Sequence, residues 1–337
     1  MGSYDLRGED MAVGRKALFF TLISVVLVVA MIAFFMPNYE NFSYMSRVPT
    51  LKTRFVKAND FVGGLYGDVG ERVITYSSYS ALKALNDYVN ATNMPLKDVK
   101  ANFTEVVMNG TINGVNIVSM DNNTLSERLA QLSSLARSEL GLKTNMSVVG
   151  IEVYQSNETG FDMVGVRMNL SLYLDAGIAT WNVTKPVYAL VNVEWLDDPY
   201  YIMNFKMGNR IRFSNLSNWS TSSVADVFYH IDMMEYALEK DAPSFLMRFE
   251  NSTGNSSCCG IESLINPVRL GIAVDKNVSY ADYCFFNKTN RESCGYPDYA
   301  MHKFTHLTNA TVGQKFYAFK LEAYHLTKYN LTGDISS

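Results

Sequence analysis

Histidines and cysteines are the scarcest chemical resource of this 337-residue chain, four of each, and their spacing limits what they can do. His302 and His306 stand four apart, as two metal ligands on one helical turn would. The run reads MHKFTHL, however, and the glutamate that acts as general base in H-E-x-x-H is absent. An ordinary surface or interface pair is expected there. His230 and His325, each alone in an amphipathic stretch, read as hydrogen-bonded structural residues. Asp197 and Asp198 precede Pro199, and Asp241 precedes Ala242 and Pro243, where a carboxylate caps a turn or a helix. Neither place offers the dense oxygen ladder of a calcium loop. Glycoside hydrolysis needs two carboxylates about 5 to 9.5 Å apart, and a linear chain does not give that distance. No G-x-S-x-G elbow, Walker loop or Rossmann glycine pattern occurs. The expectation is a non-enzymatic protein with no catalytic residue, cofactor or metal.

Cys258, Cys259, Cys284 and Cys294 all lie in the last quarter of the chain. Adjacent cysteines rarely bridge each other, so Cys258 and Cys259 are each expected to pair with one of Cys284 and Cys294. Loops of about 25 to 35 residues closed in this way stabilise by about 3 to 4 kcal/mol each. The alternatives are free or mixed thiols, or zinc on four thiolates, for which the usual C-x2-C pairs are missing.

Asparagine carries the stronger signal. N-x-[ST] occurs at Asn41, Asn90, Asn102, Asn109, Asn122, Asn145, Asn157, Asn169, Asn182, Asn215, Asn218, Asn251, Asn255, Asn277, Asn287, Asn309 and Asn330, which is 17 of 29 asparagines. Ser and Thr fill 49 of 337 positions, so chance spacing would produce about four such motifs. Turn and cap chemistry explains single cases such as Asn109 before Gly110, but not the two-residue spacing. The excess predicts an exported surface that carries sugar. Attached glycans would also solvate a chain in which only 18% of residues are charged, against about 25% in a typical globular protein. The formal charge of -4, without a long basic run, argues against nucleic acid as a partner.

From Ala17 to Met36 the sequence ALFFTLISVVLVVAMIAFFM contains no charge. As a helix it spans about 30 Å, the thickness of the hydrocarbon layer. Arg15 and Lys16 precede it and Glu40 is the first charge after it, so the N-terminus is expected in the cytoplasm and everything after Met36 outside. A cleaved secretory signal is the alternative, but the apolar run is long for one and ends FFMPNYE, without a small-x-small site. A buried soluble helix is the third reading.

The periodicity beyond the span changes twice. Residues 44 to 66 and 68 to 89 read as helices of a stalk or hairpin, the first interrupted or weakened around Gly63 and Gly64. Thr124 and Glu127 form a capping-box pattern ahead of a helix that stops at Gly141, with Leu129, Leu132, Leu135, Ala136 and Leu140 on its apolar face. The period then falls to two in MSVVGIEVYQ, FDMVGVRMNLSLYL and PVYALVNVEWL, three strands of which the first two are joined by the turn SNETG. A further helix is predicted over 222 to 239 and a short segment after Pro243. The run KFYAFKLEAYHL near the C-terminus is predicted to be a strand.

The stretch GRKALFFTLISVVLVVAMIAFF resembles the start of a type IV pilin-like protein, and the chain is similar to uncharacterised archaeal membrane-anchored surface proteins with a sequon-rich exterior. SFLMRFENSTGNSSCCGIESLINP belongs to the same resemblance. It implies an N-terminal helix that holds an external, mostly antiparallel head, with pilus-like or envelope subunits as partners. In pilins the leader is cut after a glycine just before the span, and an acidic residue follows; here Gly14 precedes Arg15 and Lys16, and the span has no Glu. Leader cleavage and filament assembly are therefore not carried over.

The expected fold class is α+β: a transmembrane helix, a helical stalk, then an antiparallel sheet head with a mixed C-terminal region. Residues 1–16 would be a cytoplasmic leader, 17–36 the span, 44–205 a helix-plus-sheet extracellular domain and 206–337 a cysteine-containing extracellular region. The expected protein is a single-pass cell-surface component in contact with membrane lipid. The competing reading is a membrane-anchored hydrolase or solute-binding module, which would need convergent carboxylates or histidines in one cleft.

Overall fold

The computed structural model describes residues 24–28, 51–216, 218–271, 279–286, 302–304, 320–332 and 335–336. Residues 51–65 form α1, which runs through Gly63 and Gly64 and ends at a turn over Tyr66 and Gly67. The expected interruption therefore falls a few residues later. α2 (Asp68–Thr92) starts with Asp68 and Glu71 in its first turn, where the helix dipole favours acid. Its Gly70 packs against the Leu65 carbonyl so closely that a Cβ would collide with it. The tight turn between the two helices leaves no room for a side chain there. Ile74, Ala81, Leu82, Leu85 and Val89 face the core, while Val69 is exposed.

α3 (Val99–Asn109) is an element that the periodicity reading passed over. Asp98 caps it by accepting from Ala101 N at 2.9 Å, and Gly110 closes it in the left-handed conformation. A small hairpin follows, β1 (Thr111–Ile112) and β2 (Val115–Asn116), around an Asn113–Gly114 turn. α4 (Leu125–Leu140) carries the expected capping box, with Thr124 Oγ1 accepting from Glu127 N at 3.2 Å and the Glu127 carboxylate accepting from Thr124 N at 3.2 Å. Leu129 and Ala136 are buried as expected. Leu135 is 55% exposed, so the apolar stripe is narrower than its spacing implied.

Three strands form an antiparallel meander in the order β3 (Lys143–Tyr154), β4 (Met163–Asp175), β5 (Thr180–Asn192). Val164, Val166, Met168, Leu170, Leu172 and Leu174 recur every second residue and are all fully buried beneath the helices. Val148 pairs with Leu170 and Gly150 with Asn169, so Val149 is an extra residue. This bulge restores the phase of β3, letting Met146 and Val148 before it and Ile151 and Val153 after it serve one face. The SNETG turn is present, with Thr159 N and Gly160 N both donating to the Ser156 carbonyl at 3.1 Å. α2 packs on β5, and α3 and α4 on β3. The sheet's other face is open and carries Arg167, Tyr173, Tyr188 and Leu190.

The chain then enters short elements: α5 (Pro199–Phe205), α6 (Val224–Met233), β6 (Tyr236–Leu238), α7 (Phe245–Phe249), β7 (Ile261–Ser263), α8 (Asp282–Phe286), β8 (His302–Phe304), β9 (Lys320–Leu321), α9 (Ala323–Lys328) and β10 (Ile335–Ser336). β6 pairs with β7, and β8 lies between β10 and β9. Two expectations are corrected here. The helix predicted over 222–239 stops at Met233, because Met234 takes a φ of 51° and Tyr236 turns extended to pair with Ser263. Of the predicted C-terminal strand, residues 315–319 lie outside the described residues, Lys320 and Leu321 are extended, and Ala323 to Lys328 is helical, with its polar side turned inward onto buried carboxylates, a partner set invisible to a periodicity count.

The architecture is therefore α+β, with helices against antiparallel sheets. Among the described residues no helix is long and apolar enough to cross a membrane. The predicted span 17–36 lies outside the described residues except for 24–28, which are helical with Val25, Val26, Leu27 and Val28 exposed.

Candidate functional site

β7 is only three residues long, yet its successive side chains enter two different buried polar clusters. The first centres on Arg248 of α7, which is fully buried. Its Nη1 lies 2.6 Å from Asp198 Oδ2 and 2.8 Å from Asp282 Oδ2, and its Nη2 donates to the Ile261 carbonyl. Tyr236 OH donates to Asp198 Oδ2 at 2.8 Å, Ser263 Oγ to Asp282 Oδ2 at 3.0 Å, and the guanidinium stacks 4.6 Å over the Tyr200 ring. Burial raises the Asp282 carboxyl above its ordinary range, against the pull of Arg248. Asp198 also caps α5, accepting from Tyr200 N at 2.9 Å behind Pro199. The capping role expected from Asp-Pro is thus present, joined to an ion pair that spacing did not disclose.

The second cluster surrounds Glu262. His325 Nε2 lies 2.7 Å from Glu262 Oε2, and its Nδ1 bonds to Glu322. Glu262 Oε1 accepts from Lys328 Nζ at 2.7 Å and from Tyr329 OH at 2.6 Å. Lys328 also reaches Glu239 at 2.8 Å, as does Tyr324 OH. Burial alone would push the Glu262 carboxyl up, but the His325 and Lys328 charges hold it well below the usual carboxylate range. Lys328 is held above its ordinary value, because Glu262 and Glu239 outweigh its own burial.

Glu239, Glu262 and His325 place ligand atoms within 4.8 Å of one another, the one trio among the described residues with the donors and spacing for a metal. The Lys328 ammonium already bonds both carboxylates, so the cation that this cluster needs is supplied by the chain. Both oxygens of Glu262 are engaged internally and the side chain has no exposure. Such an arrangement fixes α9 against β7; it does not offer a carboxylate to a substrate.

The remaining candidate residues are scattered. His302 lies on a strand, β8, so the spacing of four does not create a helical ligand pair; His306 lies outside the described residues. His230 is fully buried against the Trp219 ring, with a centroid distance of 4.6 Å, and neither ring nitrogen has a hydrogen-bond partner among the described residues. The expected hydrogen-bonded role is therefore not met there. Burial lowers its pKa to about 3. Asp241 accepts from Asn255 Nδ2 at 2.7 Å at the surface.

The expected cysteine pairing is corrected: Cys258 is bonded to Cys259 itself. Ser257 has a φ of 66°, Cys259 N donates to Ser256 Oγ at 3.2 Å, and Gly260 is wedged against the Glu239 and Ala242 carbonyls, where no Cβ would fit. Cys284, on α8, is also disulfide-bonded, and Cys294 lies outside the described residues.

Thirteen of the sequon asparagines fall among the described residues, and none is buried. Eleven are exposed, and Asn102 and Asn169 are half-buried. Asn145, Asn169 and Asn182 sit in the strands, where the first and last are nevertheless open to solvent. The buried asparagines, Asn86, Asn209 and Asn266, all lack the motif. Asn41, Asn277, Asn287 and Asn309 lie outside the described residues. Comparison with protein-family models, with curated proteins and with solved structures gives no match for this chain, so the functional argument rests on its own residues.

Proposed function

We propose that the chain is a non-enzymatic, glycosylated, single-pass cell-surface protein, an envelope or adhesion component anchored in lipid by residues 17–36, with its α+β head outside. The observation that carries this reading is the division of the asparagines: the sequon-bearing ones are at the surface and the buried ones are outside sequons. The sealed state of the carboxylate clusters supports a structural rather than a hydrolytic use of the head, since each negative group already bonds Arg248, Lys328 or His325. Partners on this reading are membrane lipid and neighbouring envelope or pilus-like subunits.

The test is the mass of the intact protein from its native membrane, before and after chemical deglycosylation, together with protease treatment of intact cells. The expected result is a large mass loss and digestion of the region after residue 36. Peptide mapping is expected to show lowest occupancy at Asn102, whose Nδ2 already donates to the Asp98 carbonyl at 2.6 Å, and at half-buried Asn169. An unmodified mass and a protected head would overturn the reading.

A further inference from the structure

Away from both ionic clusters, a groove of about 760 Å³ runs between α2 and the end of β5 with its following turn. Three aromatic rings line it. Tyr76 and Tyr79, three apart on α2, share one helix face and are 52% and 39% exposed. Opposite them stands Trp195, 58% exposed, whereas Trp219 is buried and Trp181 half-buried. Glu71, Arg72 and Glu194 line it as well, and their side chains have no hydrogen-bond or ion-pair partner among the described residues.

Trp195 is the second, independent pointer. It takes a φ of 71°, the left-handed region where a bulky side chain costs about 1–2 kcal/mol. Glycine or asparagine would be relaxed there. Its backbone is held by donation to the Ile211 carbonyl at 2.8 Å, so the surrounding chain sustains the strain. The side chain does not repay that cost through core burial; it is presented outward into the groove. On the α2 side, Arg128 stacks 4.9 Å over the Tyr76 ring and Tyr76 OH donates to Asn123 at 3.3 Å, which fixes the ring's orientation.

We propose that this groove binds a neutral oligosaccharide, with Trp195, Tyr76 and Tyr79 as its stacking platform. A pyranose ring has an apolar C–H face and a hydroxylated rim. An aromatic face, negative at its centre, attracts the first, and paired donors and acceptors take the second. Arg72 supplies donors, and Glu71 and Glu194 supply acceptors. The two carboxylates disfavour an anionic lipid headgroup or a phosphate. The size is that of ordinary ligand clefts, about 300–1,000 Å³. The groove's own asparagine, Asn192, is followed by Val193 and Glu194, so no sugar of this chain is attached inside it. The proposal stands whether or not the sequons are occupied.

The test titrates the full chain, in a detergent without sugar headgroups, with maltotetraose, cellotetraose and chitotetraose, and in parallel with an extended Val/Thr peptide and with phosphatidylglycerol vesicles, read by tryptophan fluorescence and by calorimetry. A saturable fluorescence change with at least one of the three is expected. Calorimetric binding is expected to disappear in Trp195→Ala, persist more weakly in Trp195→Phe and fall at least tenfold in Tyr76→Ala. Circular dichroism melts check that each variant is folded. No saturable signal with any of the three, equal binding by folded Trp195→Ala, or a response only to an extended Val/Thr peptide or to phosphatidylglycerol vesicles would overturn the proposal.

Discussion

The helix-and-sheet region and the C-terminal region are both tightly buried, but by different chemistry. Among the described residues from 51 to 197, no Asp, Glu, Lys, Arg or His is buried; the buried positions of the sheet's inner face are Val, Leu, Met and Ala. From Asp198 onward, Asp198, His230, Glu239, Arg248, Glu262, Asp282, Glu322 and His325 are all inside. The first interior relies on non-directional apolar burial. The second sets buried charge into an apolar and aromatic interior, and it tolerates that charge because each carboxylate meets a cation or a donor. That region also buries apolar and aromatic side chains, among them Tyr200, Tyr201, Phe245, Phe249, Ile261 and Leu326, and the ion clusters set among them tie α5, α7, β7, α8 and α9 together.

The largest test of that contrast is Arg248→Ala, which leaves Asp198 and Asp282 buried without their cation. The expected loss is about 3–5 kcal/mol, read from the urea midpoint, or failure to accumulate folded protein. A loss under about 1 kcal/mol would break the comparison, since exposed ion pairs behave that way.

A smaller effect is expected from His230. The unfolded chain takes up a proton near pH 6.5, while folded His230 resists until about 3. Its contribution is therefore complete above pH 6.5 and declines as the pH falls towards 3, by about 2 kcal/mol at pH 5. His230→Leu should flatten that part of the stability profile, measured by denaturation at pH 5 and pH 7. An unchanged slope would mean that the C-terminal interior is not the acid-sensitive one.

The smallest effect lies in the apolar region. Thr124→Ala removes the capping box of α4 and should cost about 1 kcal/mol, seen as a modest fall in melting temperature. A change as large as that of Arg248→Ala would erase the distinction between the two regions.

The legibility of the molecule follows the same division. The β4 alternation, the α4 cap and the SNETG turn are local patterns, and each could be read within a dozen residues. α3 was missed although Asp98, Val99, Phe103, Val106, Val107 and Gly110 spell a cap, an apolar face and a stop. That signal was available. The Arg248 and Glu262 clusters were not, because Asp198, Arg248 and Asp282 are separated by tens of residues and each looks like an ordinary surface charge. The groove at Trp195 was equally hidden, since its rings come from a helix and from a turn more than a hundred residues later.

By itself the chain's order of residues determined the spacing of sequons, the uncharged stretch 17–36, the long helices and the meander, because these depend on periods and neighbours only a few positions apart. Tertiary structure alone decided which asparagines reach solvent and that α9 docks through buried charge. Those outcomes depend on distances between remote residues. A buried ion has no local signature, since its cost and its partner are both set by what folds around it.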